Sequence, residues 1–468
     1  MNSLAFIGAP NCRSAHQFLI ESKGGLFVTI KPITGGVCAI IAAVSLAACA
    51  QSSTLQQGVY SAEMNALDLG TVAFHGGKTM DFNVGIGSGA FHYKGDPDNV
   101  FYTVTDRGPN IKCGDVKKLL GTANAGLCGS DKKGKVFPMP GFTPTIYKIA
   151  LNADRSFKVL ETVTLKNTVG QPISGVVNPL TTSNTENGYG NMGAHLAFDS
   201  EGLDVEAVVK MSDGTFWISE EYGPSIAHVA ADGRVLNRLV PTGLDQDLDA
   251  AKYPVTASLP GILKWRKLNR GIESIAVSDD EKSLYFAMQS PLAYPNAKAY
   301  KTSNAVRLFK LDIASLKVVG EYIYPLDDPK SFAVDNAKKK RTPKDIKVSE
   351  MTALKGDRLL VLERISKTTK FYVVDLSKGR NIAGSKWDAE IVSPSLEQLK
   401  VEGMAKKGIP ALAKTLVMNT DNRGGMPKKI EGIGLVDANT MMLINDNDFG
   451  IAGDGTAVVV VKLSTPLF

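Results

Sequence analysis

The 468-residue sequence contains little cysteine, no long hydrophobic run and only a small excess of positive charge. Its longest apolar run, VCAIIAAVSLAAC, covers roughly a dozen residues near the N-terminus. A helix needs about 20 apolar residues to span a bilayer, so the sequence predicts no transmembrane helix. The formal net charge of +6 is scattered along the chain. We therefore expect no nucleic-acid partner, since nucleic-acid-binding proteins concentrate their basic residues.

Several motifs of common enzyme classes are also missing. The sequence has no G-x-S-x-G nucleophile turn, no phosphate-binding loop of the Walker type and no dinucleotide fingerprint. Its few histidines are not spaced as H-E-x-x-H, which argues against a zinc peptidase. His195, in the stretch NMGAHLAFDSEGLDVE, is a candidate general acid or base. A purely structural role for this histidine stays open.

The N-terminal segment has the pattern of an export signal. Lys31 precedes the apolar run, which ends in LAAC and so resembles a bacterial lipoprotein box with Cys49 as the lipidated residue. Ala50 follows, and by the same resemblance this favours the outer membrane, facing the periplasm or the surface. A plain signal peptide cleaved nearby is the alternative. The expected organisation is a signal segment at 1–48, a polar tether at 49–60 and one domain at 61–468, with the lipid anchor as its only membrane contact.

Two cysteines, Cys113 and Cys128, remain in the predicted domain. They enclose a loop rich in glycine and lysine, and an exported protein meets an oxidising compartment, so the sequence predicts a disulfide between them. The alternative is a metal pair. Zinc would need two further cysteine or histidine ligands, and the sequence offers none nearby.

A degenerate repeat runs through the predicted domain. Each copy has a glutamate, a short apolar segment, a turn residue six positions after the glutamate and a second apolar segment with a polar end. The copies are VEAVVKMSDGTFWISEE, IESIAVSDDEKSLYFAMQS, SEMTALKGDRLLVLER and IEGIGLVDANTMMLINDND. A weaker copy at 87–108 has Ser88 in place of the glutamate.

Further short strands rich in valine, isoleucine and aromatic residues follow each copy, and helical periodicity is rare. Repeated units of four short strands predict an all-β fold, a β-propeller. The number of copies favours five blades, with six possible. The spacing of the copies requires long inter-strand loops, chiefly at 107–142, 166–200, 242–268 and 328–347. A strand within 65–74 is expected to complete the last blade.

A propeller brings the starts of its first strands together around the central channel. The four repeat glutamates should therefore converge, and the ends of the second strands should bring more carboxylates to the same mouth. Crowded carboxylates repel, so a hard cation such as Ca²⁺ is expected there. The predicted metal ligands are Glu206, Glu273, Glu350, Glu431 and Asp446. The alternative is a ring of glutamate–arginine pairs with a structural role, because arginines lie next to these acids in the sequence.

The motifs TDRGPN, EGLDVEAVVKMSDGTFWISEEYGPSIAHVAADGRVL, NRGIESIAVSDD, SEMTAL, LLVLER and IEGIGLV resemble the phytase-like domain family, over about residues 70–465. The resemblance implies an exported β-propeller that hydrolyses phosphoesters or other esters, with acidic channel residues that hold metal and phosphate. Ser88 departs from the family pattern. The candidate catalytic residues are Asp106, Arg107, Glu221, Glu363, Arg364 and His195.

Three functions are therefore expected to compete. The first is a calcium-assisted hydrolase of a small anionic phosphoester at the channel mouth. The second is a calcium-dependent lactonase or carboxylesterase. The third is a non-catalytic propeller of the cell envelope that binds a ligand or a protein. In each case we expect a monomer.

Overall fold

The computed structural model describes residues 55–468, and strands dominate this part of the chain. The predicted signal segment, the lipidation site Cys49 and the first half of the tether lie outside the described residues. Within 55–468, no helix is long and apolar enough to cross a membrane. The strands and α-helices, in chain order, are β1 (Gly58–Ala62), β2 (Asp68–Ala73), β3 (Thr79–Asn83), β4 (Gly89–Phe91), β5 (Val100–Val104), β6 (Ile111–Lys112), α1 (Val116–Leu120), β7 (Lys135–Phe137), β8 (Thr145–Leu151), β9 (Ser156–Thr164), β10 (Gly188–Gly190), β11 (His195–Leu196), β12 (Val205–Lys210), β13 (Phe216–Glu220), β14 (Ser225–Val229), β15 (Val235–Pro241), β16 (Val255–Leu259), β17 (Ile272–Val277), β18 (Ser283–Met288), α2 (Ala297–Thr302), β19 (Ala305–Asp312), β20 (Lys317–Pro325), α3 (Ala333–Asn336), β21 (Lys347–Ala353), β22 (Arg358–Arg364), β23 (Thr369–Asp375), α4 (Leu396–Lys406), β24 (Lys414–Asn419), β25 (Ile430–Leu435), β26 (Thr440–Asn445) and β27 (Ala457–Lys462).

Most strands belong to four-stranded antiparallel groups, and we interpret each group as one blade. The groups are β4-β5-β8-β9, β12-β13-β14-β15, β17-β18-β19-β20, β21-β22-β23-β24 and β25-β26-β27-β1. The first strands pack against one another in a closed cycle, in the order β4, β12, β17, β21, β25 and back to β4. This cycle defines a central channel. The prediction of an all-β propeller with long inter-strand loops is confirmed.

The strand that completes the last group differs from the expected one. β1 pairs antiparallel with β27, from Gly58 opposite Val460 to Ser61 opposite Ala457. Tyr60 anchors it, because its ring is buried among the valines of β27. The predicted closing segment at 65–74 instead supplies β2, which forms a two-stranded hairpin with β3. The sequence prediction for this strand was therefore wrong.

Two of the long loops fold together beside the channel. The excursions at 107–142 and 166–200 contribute β6, β7, β10 and β11, which pair as a separate small sheet. The predicted disulfide between Cys113 and Cys128 is confirmed, and it closes the loop that carries α1. By chain entropy, a loop of 15 residues corresponds to about 3 kcal/mol of stabilisation. The disulfide thus fixes a segment that contributes to one wall of the channel mouth.

Candidate functional site

A β-bulge repeats at the start of the first strand in several blades. The register shifts between Val205 and Ala207 in β12, and corresponding shifts occur in β17 and β25, so the bulged residues are Glu206, Glu273 and Glu431. A bulge leaves its residue outside the ladder and re-aims the side chain. All three of these glutamates line one cavity of about 510 Å³ at the channel mouth, which we call the channel cavity.

The fourth repeat glutamate, Glu350, points elsewhere. In β21 the bulged residue is Ser349, whereas Glu350 sits in the regular ladder opposite Leu362. A displacement of one position sends a side chain to the other face of a strand. The Glu350 carboxylate accepts hydrogen bonds from the Ala90 and Met351 amides, at 3.3 and 2.9 Å, and does not line the channel cavity. The expectation that four repeat glutamates converge therefore fails for Glu350.

Ser88 occupies the position of the missing glutamate in the first repeat. Its neighbours Gly87 and Gly89 both pair with Val104, so Ser88 is the residue left out of the ladder. Its side chain is buried and lines the channel cavity. The ring of bulged residues thus contains glutamate in three blades and serine in two.

Charged groups of both signs line the channel cavity. Its carboxylates are Asp106, Asp115, Asp204, Glu206, Glu221, Glu273, Glu431, Asp446 and Asp448. Its cationic side chains are Arg107, Lys112, Lys135, Arg270, Lys347 and Lys429. The structure thus brings together many of the acids singled out in the sequence, together with several cations that the sequence analysis did not select. Asp204, Lys347 and Lys429 each lie two positions before a bulged residue, which is the signal that could have found them.

One carboxylate group, the arginine-paired cluster, consists of Glu206, Glu273 and Glu431. These residues bring oxygens within 4.8 Å of one another. The Arg364 guanidinium donates to Glu431 and lies 3.7 Å from Glu273. Part of the expected glutamate–arginine pairing is therefore present in the channel.

The other group, the open cluster, consists of Asp204, Glu206 and Glu221, which also lie within the same 4.8 Å. All three side chains are buried. In the described part of the chain, Glu221 Oε1 and Asp204 Oδ2 have no hydrogen-bond partner. The Arg107 Nε lies 3.2 Å from Asp204 Oδ2 without a well-directed hydrogen bond. Buried carboxylate oxygens without donors are costly, so this cluster suits a cation.

Burial and mutual repulsion perturb the acids of the channel. Burial, followed by the charges of Glu273, Glu221 and other acids, raises the pKa of Glu206 well above its usual range. The pKa values of Glu273 and Asp106 are raised well above their usual ranges as well, with burial as the largest cause. Burial and then Asp448 and Glu431 raise the pKa of Asp446 to about 7. A cation is what these groups need to ionise together at neutral pH.

The pKa of one lysine in the channel cavity is lowered, in contrast to the raised pKa values of the acids. Burial, and then the positive charges of Arg364 and Arg270, lower the pKa of Lys347 to about 8. Desolvation disfavours the charged form of a lysine just as it disfavours that of an acid. Lys347 therefore stays largely protonated at neutral pH, although it lies close to losing its proton.

Three further candidates lie outside the channel cavity. Glu363 is fully buried and accepts hydrogen bonds from the Tyr324 hydroxyl, the Asp327 amide and the Lys414 ammonium. Arg364 lies behind the cavity lining, where it pairs with the glutamates as described. His195 is exposed and packs edge-on against the Tyr189 ring, with 5.4 Å between ring centroids. Neither Glu363 nor His195 reaches the carboxylate clusters in this structure.

A second cavity adjoins the first and is strongly basic. This basic cavity has a volume of about 1020 Å³, and it shares Lys112, Lys135, Asn269, Arg270 and Lys347 with the channel cavity. Its further cations are Lys132, Lys133, Lys264 and Lys267, and its single carboxylate is Glu186. Glu186 is already paired with Arg107 at 3.3 Å. The basic cavity therefore carries a large excess of positive charge directly beside the carboxylates.

Comparisons with known proteins find one similar protein sequence and several solved structures with distant similarity. An "Uncharacterized secreted protein" of Arthroderma benhamiae is 26% identical over 200 residues, which cover 37% of this chain and 39% of that protein. The chain thus spans about two fifths of the length of that relative. Among solved structures, a luciferin-regenerating enzyme shares 10% identity at a TM-score of 0.32, covering 88% of this chain and 98% of its own. A PQQ-bound aldose sugar dehydrogenase of Streptomyces coelicolor shares 7% identity at a TM-score of 0.29, covering 87% of this chain and 99% of its own.

A match to a family model identifies the family, and the matched segment includes the channel site. A family model matches residues 86–449, which include every blade start and both carboxylate clusters. The chain belongs to the Phytase-like family, described as "Esterase-like activity of phytase".

Proposed function

We propose that the protein is an exported hydrolase of small anionic esters, with phosphoesters as the favoured class, and that it works with Ca²⁺ at the channel mouth. One observation carries the proposal: a buried carboxylate cluster with unpaired oxygens lies beside a basic cavity. Carboxylates would hold a cation, whereas the basic side chains would bind the charge of the ester. The family description supports ester hydrolysis. The name of the secreted relative supports export, and lipidation of Cys49 remains part of this proposal.

The open cluster fits a calcium site by the chemistry of its donors. Asp204, Glu206 and Glu221 supply carboxylate oxygens, which are the ligands that Ca²⁺ prefers. Glu221 Oε1 has no hydrogen-bond partner among residues 55–468 and would be available to coordinate, and Asp204 Oδ2 has only the ion pair with Arg107. A bound Ca²⁺ would polarise the scissile bond and lower the pKa of a bound water. The predicted ligands Glu273, Glu431 and Asp446 stay candidates for the outer part of the site.

The remaining charges of the chain bind and orient the ester. Arg270, Lys135 and Lys347 line both cavities, so an anionic group placed between the two cavities would meet all three. Arg107 is held by Glu186 and Asp204, and its Nη1 has no hydrogen-bond partner among residues 55–468. That nitrogen is available to an ester oxygen. An arginine binds phosphate through several fixed donors, which favours phosphate over an uncharged lactone.

Asp106 supplies a proton in this scheme. Its side chain is in the channel cavity, and burial together with Asp204 and Asp446 raises its pKa well above the usual range. An acid with a raised pKa holds its proton to a higher pH and can donate it to the departing alkoxide. His195 and Glu363 have no part in the proposed chemistry because they lie away from the cavity.

The test is a substrate panel on the purified domain, with calcium and with chelator. Phosphomonoesters, phosphodiesters, phytate and lactones are compared, and we expect phosphoester turnover that the chelator abolishes. Turnover that persists in chelator would refute the calcium mechanism. Turnover of lactones alone would establish the lactonase, and calcium binding without turnover of any substrate would establish a binding propeller. Glu221→Gln should abolish turnover, whereas Glu350→Gln is the matched control outside the cavity.

A further inference from the structure

We propose that Arg364 takes the place of a metal ion in the channel, so that the protein binds a single Ca²⁺, at the open cluster. This inference rests on the proposed function, because it concerns the number and place of the cations that function uses. Two carboxylate clusters are present, and they share Glu206. From the acids alone, both clusters would look like cation sites. The clusters differ in how an arginine contacts them, because Arg364 contacts two acids of the first cluster whereas Arg107 contacts one acid of the second.

The register of the blades shows that Arg364 holds a position that carries acids or amides elsewhere. In each of four blades the residue before the bulge pairs with a residue at or next to the end of the second strand: Val205 with Glu220, Ile272 with Met288, Val348 with Glu363 and Ile430 with Asn445. The residue one position later lines the channel cavity in three of these blades, and in the remaining blade it contacts Glu431, which lines the cavity. In chain order these residues are Glu221, Gln289, Arg364 and Asp446. A fixed positive charge therefore stands where the other three blades place oxygen ligands.

The contacts of Arg364 show that it is built into the arginine-paired cluster. The side chain is buried, and its Nε donates to Ser349 Oγ at 2.9 Å. Its Nη1 donates to the Ile365 carbonyl at 3.0 Å, and its Nη2 donates to Glu431 and lies 3.7 Å from Glu273. Ser349 also donates to Glu273 at 3.1 Å. Since Ser349 is the bulged residue of its blade, the smaller side chain there leaves room for the guanidinium.

A metal ion in the arginine-paired cluster would have to displace or oppose this guanidinium. Ca²⁺ binds its oxygens at about 2.3–2.6 Å. Glu273 and Glu431 would have to offer those oxygens while already contacting a buried positive charge. Two cations on the same carboxylates in a buried site repel strongly. The Arg364 guanidinium therefore supplies the positive charge of this cluster in place of a metal ion.

The open cluster has no equivalent cation. Arg107 is the arginine closest to it, and it contacts only Asp204 of the three acids, since its other partners are Glu186 and Asn269. Glu221 Oε1 remains buried without a hydrogen-bond partner in the described chain, as does Gln289 Oε1 in the same cavity. A neutral amide oxygen beside unpaired carboxylate oxygens is a donor set that calcium accepts. We therefore assign the single Ca²⁺ to the open cluster rather than to the arginine-paired cluster.

The experiment counts calcium ions bound per chain by isothermal titration calorimetry on the metal-stripped domain. We expect one Ca²⁺ for the unaltered protein. Arg364→Gln should admit a second Ca²⁺, because Glu273 and Glu431 lose their internal counter-charge. Arg364→Lys is the matched control, which keeps the positive charge and should stay at one. Glu221→Gln should lose the single site, whereas Glu431→Gln should retain it, and these two variants test the assignment even where Arg364→Gln fails to fold.

Each outcome separates the inference from the function on which it rests. A single Ca²⁺ in both the unaltered protein and a folded Arg364→Gln would overturn the inference and leave the proposed function standing. Two ions in the unaltered protein would do the same. Binding that Glu431→Gln abolishes and Glu221→Gln spares would place the ion in the wrong cluster and would also overturn the inference. No calcium binding at all would remove the cation from the proposed function itself.

Discussion

Replacing Glu221 with glutamine should change the stability of the protein in opposite directions with and without calcium. In chelator, the buried Glu221 Oε1 has no hydrogen-bond partner within 55–468. An unsatisfied buried polar atom costs about 1–3 kcal/mol. Burial and then the charge of Asp204 raise the pKa of Glu221, and the positive charges of Lys347 and Arg270 oppose this only in part. An unsatisfied charged group costs more than a neutral one, and glutamine keeps the unpaired oxygen but removes its charge, so we expect Glu221→Gln to raise the free energy of unfolding by about 1 kcal/mol in chelator.

With calcium bound, the unaltered protein should be more stable than Glu221→Gln, which reverses the order expected in chelator. A ligand at 100 times its dissociation constant stabilises the folded state by about 2.7 kcal/mol. The unaltered protein should gain this amount, and Glu221→Gln should gain little because it lacks one charged ligand. At that calcium concentration the variant should thus be less stable by about 2 kcal/mol, which is the stabilisation from calcium binding minus the gain from removing the buried charge. Urea unfolding followed by circular dichroism measures both values.

The matched control is Glu350→Gln. Glu350 is equally buried but accepts hydrogen bonds only from backbone amides and does not line the channel cavity. Its replacement should shift stability by the same amount in calcium and in chelator. The reasoning would be refuted if calcium left the unaltered protein unchanged. It would equally be refuted if Glu221→Gln lost the same stability under both conditions, since the side chain would then be an ordinary structural partner.

Three further predictions concern a channel acid, the disulfide and a buried ion pair. Burial raises the folded-state pKa of Asp446 to about 7, above the value of about 3.9 in an unfolded chain. The neutral form of Asp446 therefore favours folding at low pH, and this contribution is lost as pH rises. In chelator, Asp446→Asn should consequently become more stable relative to the unaltered protein between about pH 4 and about pH 7. A pH series of unfolding curves measures this, and a constant difference would contradict it. Replacing both Cys113 and Cys128 with serine should lower the free energy of unfolding by about 3 kcal/mol, and an unchanged urea midpoint would show that the loop is held by packing alone. Arg238→Met should cost about 3–5 kcal/mol because it leaves the fully buried Glu220 without its 3.0 Å partner, and the additional change Glu220→Gln should recover part of the loss in the same assay.

The local pattern of the sequence predicted the fold class well. Each repeat copy contains one complete hairpin, and a hairpin is specified by short-range alternation and turn residues. The copies at 205–221, 272–290 and 430–448 therefore correspond to adjacent strands in the structure. The disulfide was equally predictable, because only two cysteines remained to pair. The closing strand was not, since the pairing of β1 with β27 joins opposite ends of the described chain.

Within the site, too, some residues could be predicted from the sequence and others only from the folded structure. The sequence by itself determined that Glu206, Glu273 and Glu431 would meet, because they begin equivalent strands of a cyclic fold. Only the tertiary structure decided that Ser349 rather than Glu350 occupies the fourth position. A bulge moves the register by one residue, and the composition of a strand does not reveal where the extra residue lies. Only the folded chain also placed Arg364 against two acids of one carboxylate cluster and left Glu221 Oε1 of the other without a hydrogen-bond partner among residues 55–468. Those distances depend on how separate blades pack around the channel.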